Sequence, residues 1–131
     1  MDTIIDLACK AAFNGNIIDL NSYLNLKIDI NGTGTNWTIL HSAIENNNLD
    51  CVKLIIERGA NVELKLNCSM TPLEHAIDIA IDYNNTGGKV GEESVAIIAI
   101  ILDAGANPNT GLEIAKRYKN EKIISLLNSY I

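Results

Sequence analysis

Thr38-Ile39-Leu40-His41-Ser42-Ala43 returns 33 residues later as Thr71-Pro72-Leu73-Glu74-His75-Ala76. Downstream lies a second matched pair, Leu54-Ile55-Ile56-Glu57-Arg58-Gly59-Ala60-Asn61 and Ile100-Ile101-Leu102-Asp103-Ala104-Gly105-Ala106-Asn107. Gly59 and Gly105 are 46 apart, which is 33 plus 13. The period is therefore kept, with about thirteen residues inserted in the third unit. Self-similarity at such a period marks a stacked-repeat architecture. One unit is too short to bury its own apolar face, so neighbouring units complete the core.

The local chemistry around the repeats is helical. Thr at the head of each motif is a good N-cap, because its hydroxyl accepts a backbone N–H that the helix leaves unpaired. Pro72 follows at the first helical position, where a missing N–H costs nothing. Glu74 and Glu113 stand three residues beyond Thr71 and Thr110, the spacing of a capping box. Gly59 and Gly105 follow apolar helical runs, where a left-handed residue closes the helix. Leu54, Ile55, Ile98, Ile101, Ile124 and Leu127 are the expected core of the second helices. Ile77, Ile79, Ala80 and Ile81 are placed to prolong the helix that begins after Thr71.

At these motifs the chain resembles the ankyrin repeat family, whose signature is Thr-Pro-Leu-His-x-Ala opening one helix and Leu-Leu-x-x-Gly-Ala closing a second. The resemblance implies an all-α ankyrin-repeat solenoid of helix-turn-helix units, forming a single domain over 1–131. Its units fall at about 1–31, 32–63, 64–109 and 110–131, with the insertion near 82–94. Ala11-Ala12-Phe13-Asn14-Gly15-Asn16 matches the inter-helix segment of a degenerate first unit. Thr110-Gly111-Leu112-Glu113-Ile114-Ala115 starts a shortened fourth unit, and Ile123-Ile124-Ser125-Leu126-Leu127 supplies its last helix. Lys27-Ile28 stands where Gly-Ala is usual, so that helix is expected to end differently. Asn47 replaces an inter-helix Gly, and Asn tolerates left-handed geometry better than most residues.

Composition excludes several classes of function. Of 131 residues, 47% are apolar and 20% charged, which is ordinary for a globular protein and too apolar for disorder. Aromatics are only 5%, and 21 isoleucines point to an aliphatic core. No apolar run approaches a membrane span, and MDTIIDLACK carries acids where a secretory leader carries bases. Ten Lys+Arg against 16 Asp+Glu give a net charge of −6, so neither nucleic acid nor a membrane surface is an expected partner. A basic protein suits it. Three cysteines without CxxC spacing argue against a disulfide framework and a zinc site, and a reducing cytoplasm is the simplest setting. The starting Met and the basic, shortened last unit lead to the expectation of a complete, self-capped chain.

A search for catalytic groups finds little. There is no P-loop, GxGxxG, HExxH or GxSxG. Gly87-Gly88-Lys89 lacks the remainder of a phosphate-binding loop. His41 is expected to make a structural hydrogen bond at its helix start. His75 beside Glu74 forms the one pairing that could do acid–base work, as a remote enzymatic alternative to a packed histidine. Cys9 and Cys51 fall in apolar helical patterns, while Cys68 lies in a hairpin before Thr71. No cofactor or metal is implied.

Glu74, Asp78 and Asp82 are four apart and line one helix face, either as a solvated surface or as a recognition patch. The family resemblance implies docking on the hairpin tips and first helices. Carried to this chain, it points to Phe13, Asn14, Trp37, Glu45, Asn46, Cys68, Met70, Asp78, Ile79, Arg117 and Tyr118, and the adjacent insertion adds Asp82 and Tyr83. Trp37 is the only Trp and a candidate anchor, although it can also simply cover hairpin backbone. The insertion, Asp82 to Ser94, is a tolerated loop or an extension of that edge. His-Ala-Ile-Asp-Ile-Ala-Ile-Asp (75–82), Thr-Gly-Gly-Lys (86–89) and Gly-Leu-Glu-Ile-Ala-Lys (111–116) together resemble short bacterial ankyrin proteins, several of them similar to toxin-neutralising immunity proteins. The expected function is a non-enzymatic scaffold, monomeric by itself, that occludes a basic toxin or nuclease domain. The alternative is a viral or eukaryotic signalling adaptor.

Overall fold

The computed structural model describes residues 2–34, 37–65, 70–85 and 91–131, with 83–85 described as helix backbone. Eight helices follow one another among the described residues: α1 (Ile4–Asn14), α2 (Ile17–Leu24), α3 (Ile39–Glu45), α4 (Leu49–Glu57), α5 (Pro72–Asn85), α6 (Glu92–Asp103), α7 (Pro108–Arg117) and α8 (Glu121–Asn128). Each unit contributes a pair. The first helices pack in the order α1, α3, α5, α7, and α2, α4 and α6 form a second row behind them. Thr38 and Thr71 thus begin equivalent helices in adjacent layers.

Capping chemistry sets where the first helices start. Thr3 Oγ1 accepts from Asp6 N while Asp6 returns a carboxylate to Thr3 N, a complete capping box that sequence reading had not singled out. Thr38 Oγ1 accepts from His41 N at 3.0 Å. Thr71 and Glu74 form the expected box, each bonding the other's backbone N–H at 3.2 Å. The fourth unit differs from expectation. Asn107 caps α7 with Pro108 next to it, and Thr110 lies inside the helix. The Asn107 side chain reaches Asn109 N at 3.0 Å, so the helix begins three residues early and Glu113 is left to pair with Arg117 at 3.4 Å.

The turns follow the backbone demands of their residues. Gly59 and Gly105 adopt φ of 95° and 104°, and Asn47 takes 57° between α3 and α4. Lys119 does the same at 54° between α7 and α8, a position that residue type had not flagged. The Lys27-Ile28 departure has the expected effect: no left-handed residue follows Asn25, the C-cap of α2, whereas Gly59 and Gly105 take positive φ after α4 and α6.

The core between the rows is one continuous aliphatic cluster. Ile55, Ile98, Ile101 and Leu127 are buried in it as expected. Leu54 and Ile124 are only half-buried. In α4 the inward stripe is Cys51, Val52 and Ile55, and in α8 it is Ile123 and Leu127, so each expected neighbour is rotated about 100° off the stripe. The thirteen-residue insertion is partly helical. α5 has 14 residues against 7 in α3, and α6 has 12 against 9 in α4. Ser94 is buried and donates to Asn47 Oδ1 at 3.2 Å, so this end of the insertion belongs to the packed body. Gly87-Gly88-Lys89 lies outside the described residues.

Candidate functional site

The hairpin before α3 is held by its backbone. Thr33 and Thr38 form an isolated antiparallel bridge, and Gly34 N donates to Trp37 O at 2.9 Å. The approach is close at Gly34, where a Cβ would stand 2.7 Å from Asp6 Oδ1 and 3.3 Å from Cys9 Sγ and would push the Asp6 side chain aside. The Cys9 thiol also donates to Trp37 O at 3.4 Å. These contacts fix Trp37 against α1. Its half-buried indole, with Phe13 from the end of α1 and Ser42 and Glu45 from α3, lines a hollow of about 270 Å³. Phe13 remains 43% exposed.

Behind the hollow stand two buried histidines. His75, 2% exposed, has its ring centroid 5.2 Å from Trp37 and 5.3 Å from His41, stacked on the latter at 20°. A carboxylate only accepts, so His75 Nε2–H donates to Glu45 Oε2, at 2.7 Å. The same reasoning settles His41. Its Nε2–H donates to Met70 O at 3.2 Å, and its Nδ1 accepts the Thr38 hydroxyl at 2.6 Å. Burial, then the neighbouring His75, lowers the pKa of His41 to about 4. His75 Nδ1 is buried without a hydrogen-bond partner.

Acidic side chains continue from the hollow along α5. Asp78 is half-buried and Asp82 exposed. Burial raises the Asp78 pKa, and the Asp82 and Glu45 charges add to the rise while His75 opposes it. The wall therefore concentrates negative charge at a cost in self-repulsion.

The residues singled out from sequence separate into groups. Phe13, Trp37 and Glu45 meet at the hollow. Asn46 is committed to the stack, its Nδ2 donating to Phe13 O at 2.8 Å. Met70 contributes its carbonyl to His41, and half-buried Ile79 packs against the core. Asn14, Arg117 and Tyr118 are exposed at the ends of α1 and α7. Cys68 lies outside the described residues, and Tyr83 is placed only as part of the α5 backbone. Ser42 and His75 were not among the expected docking residues. The 33-residue period puts Ser42 and His75 in the same slot of successive repeats, which was the available signal.

The Glu74–His75 pairing does not form. Glu74 is occupied with Thr71 at its helix start, and His75 turns to Glu45 of the preceding repeat. The Ser42 hydroxyl donates to Thr38 O at 2.9 Å. Burial raises the Cys9 and Cys51 thiol pKa values, which disfavours the nucleophilic thiolate. A second hollow, about 230 Å³, sits at the inter-helix turns among Gly15, Asn47, Asn48, Cys51 and Glu93. Among the described residues no three His, Cys, Asp or Glu groups are placed to hold a metal, and no helix is long and apolar enough to cross a membrane.

Comparison with protein families gives a match over more than half of the chain. Residues 7–86, which are 80 of the 131, match the model described as "Ankyrin repeats (3 copies)". The matched span runs from α1 to the end of α5 and so contains every residue of the hollow.

Proposed function

Starting from a chain that belongs to the ankyrin repeat family, a generally non-enzymatic protein–protein interaction scaffold, we propose that it acts by covering a basic protein partner. The observation that carries this reading is the hollow between repeats one and two. Two aromatic side chains, Phe13 and Trp37, are held open at the surface beside Glu45, with Asp78 and Asp82 extending the negative charge. Interface anchors are enriched in Trp and Tyr, and a charged wall speeds encounter with a partner of opposite sign.

The specific form we favour is an immunity-type inhibitor of a bacterial toxin. The acidic wall suits a cationic site such as that of a nuclease, and the resemblance of 75–82 and 111–116 to short bacterial ankyrin proteins supports it. We extend the reading to a monomer in the cytoplasm, a reducing compartment that suits the free thiols of Cys9 and Cys51. Affinity capture with the wild-type chain and the Trp37→Ala variant, followed by mass spectrometry, tests it. A basic toxin retained by the first and lost by the second is the expected result. Signalling machinery retained instead would favour the adaptor alternative, and identical capture by both chains would reject the hollow as the docking site.

A further inference from the structure

Resting on the protein-docking reading above, we propose that the hollow is a socket for one arginine side chain of the partner. The side chains around it are a matched set for a flat, donor-rich cation. Phe13 and Trp37 line it with aromatic rings, and a guanidinium stacks favourably on such rings. Among the described residues Glu45 is engaged by His75 through Oε2, and its charge lines the hollow. Ser42 donates its hydroxyl proton to Thr38 O and also meets the Cys9 thiol, so it adds no free donor to the hollow. Apart from the indole N–H, the lining side chains offer only acceptors and π faces. An anionic group would meet Glu45 with Asp78 behind it, and a plain apolar side chain would leave a carboxylate facing it without a new partner.

The support of the socket explains why it stands open. His75 touches both walls, its ring tilted 31° against Trp37 and its Nε2 bonding Glu45, and is itself stacked on His41. His41 is in turn fixed by Thr38 and by the Met70 carbonyl. The aromatic wall and the acidic wall are thus held by one buried ring. Such preorganisation lowers the ordering cost when a ligand enters. Guanidinium is preferred to ammonium because its planar fork can stack and bond the carboxylate together, whereas a lysine head can do so only as a point charge.

The test uses the full chain with three small probes: acetyl-arginine amide, acetyl-lysine amide and acetyl-citrulline amide, each titrated to tens of millimolar. Trp37 is the only Trp, so its emission reads the socket directly. Backbone amide NMR shifts at 13, 37, 42 and 45 locate the binding. Saturable changes with the arginine probe, weaker ones with lysine and none with citrulline are expected. Glu45→Gln keeps an acceptor for His75 while removing the charge, and is expected to weaken the arginine response at least tenfold with unchanged thermal unfolding. An equal response to citrulline, or an arginine response untouched by Glu45→Gln, overturns the proposal. Silence with all three probes, while Trp37→Ala still abolishes capture of a protein, overturns the socket alone and leaves the docking face standing. An arginine response alongside identical capture by wild type and Trp37→Ala supports the socket chemistry and rejects the docking reading.

Discussion

His75 of the third repeat donates a 2.7 Å hydrogen bond to Glu45 of the second, from a ring that is otherwise buried between Trp37 and His41. The contact joins a core position to a surface position across a repeat boundary. Stability and recognition therefore share residues in this hollow, and variants can separate the two.

Trp37→Ala is expected to weaken partner binding by about 1–3 kcal/mol. Its half-buried ring covers a hollow and leaves the aliphatic cluster untouched, so the urea midpoint should move little. Calorimetric titration of the captured partner, beside chemical denaturation, checks both halves. Unaltered affinity would count against the hollow.

Asp78→Asn is expected to have opposite effects on the two properties. A carboxyl whose folded pKa is raised destabilises the folded chain once it ionises, and Asp78 also repels Asp82 four residues on. Removing that charge should increase stability by a few tenths of a kcal/mol at neutral pH. Affinity for a basic partner should fall. A variant both less stable and equally tight-binding would contradict the account of the acidic wall.

Acid should destabilise the protein through His41. The folded chain protonates this ring near pH 4, while the unfolded chain does so near 6.5. Between those values the unfolded state holds more protons, so stability rises with pH across the window. The contribution is complete above about pH 6.5 and lost as pH falls towards 4, with an upper bound of about 3 kcal/mol. Urea unfolding midpoints measured from pH 7 to 4 should show the loss, and His41→Gln should flatten it. A wild-type profile with the same slope as His41→Gln would remove this cause.

Thr38→Val is expected to cost about 2 kcal/mol. The substitution keeps the shape but deletes a hydroxyl that both caps α3 and satisfies His41 Nδ1. Thr38→Ser retains both bonds and should recover most of the loss. Equal destabilisation by Val and Ser would assign the effect to packing of the methyl group.

Association with a basic partner should slow as salt rises, because exposed carboxylates such as Asp82 act over a Debye length of about 10 Å at 0.1 M salt. Stopped-flow rates across ionic strengths would show it. A flat on-rate would exclude steering by this wall.

Much of the fold was readable because its signals are local. Thr38 and Thr71 cap through their own hydroxyls, which accept the backbone N–H three residues on, and Gly59 and Gly105 turn the chain by their own backbone freedom. Asn107 was misread for a related reason. Thr110 has the right residue type at the right offset from Glu113, but Pro108 lets the helix start earlier, and Asn107 can cap it there. Leu54 and Ile124 show the limit of period counting, since a single step around a helix decides which of two adjacent aliphatic residues faces inward.

By itself, the sequence determined the repeat, its insertion, the helix starts at Thr38 and Thr71 and the excess of negative charge, since these depend on residues close together in the chain or on simple counting. Only the tertiary structure decided that His75 turns to Glu45 and leaves Glu74 to its cap, and that Phe13, Trp37 and Ser42 close one hollow with Glu45. Those partners are brought together by the offset between stacked helices. A shift of one helical turn in that offset would give different partners to the same residues.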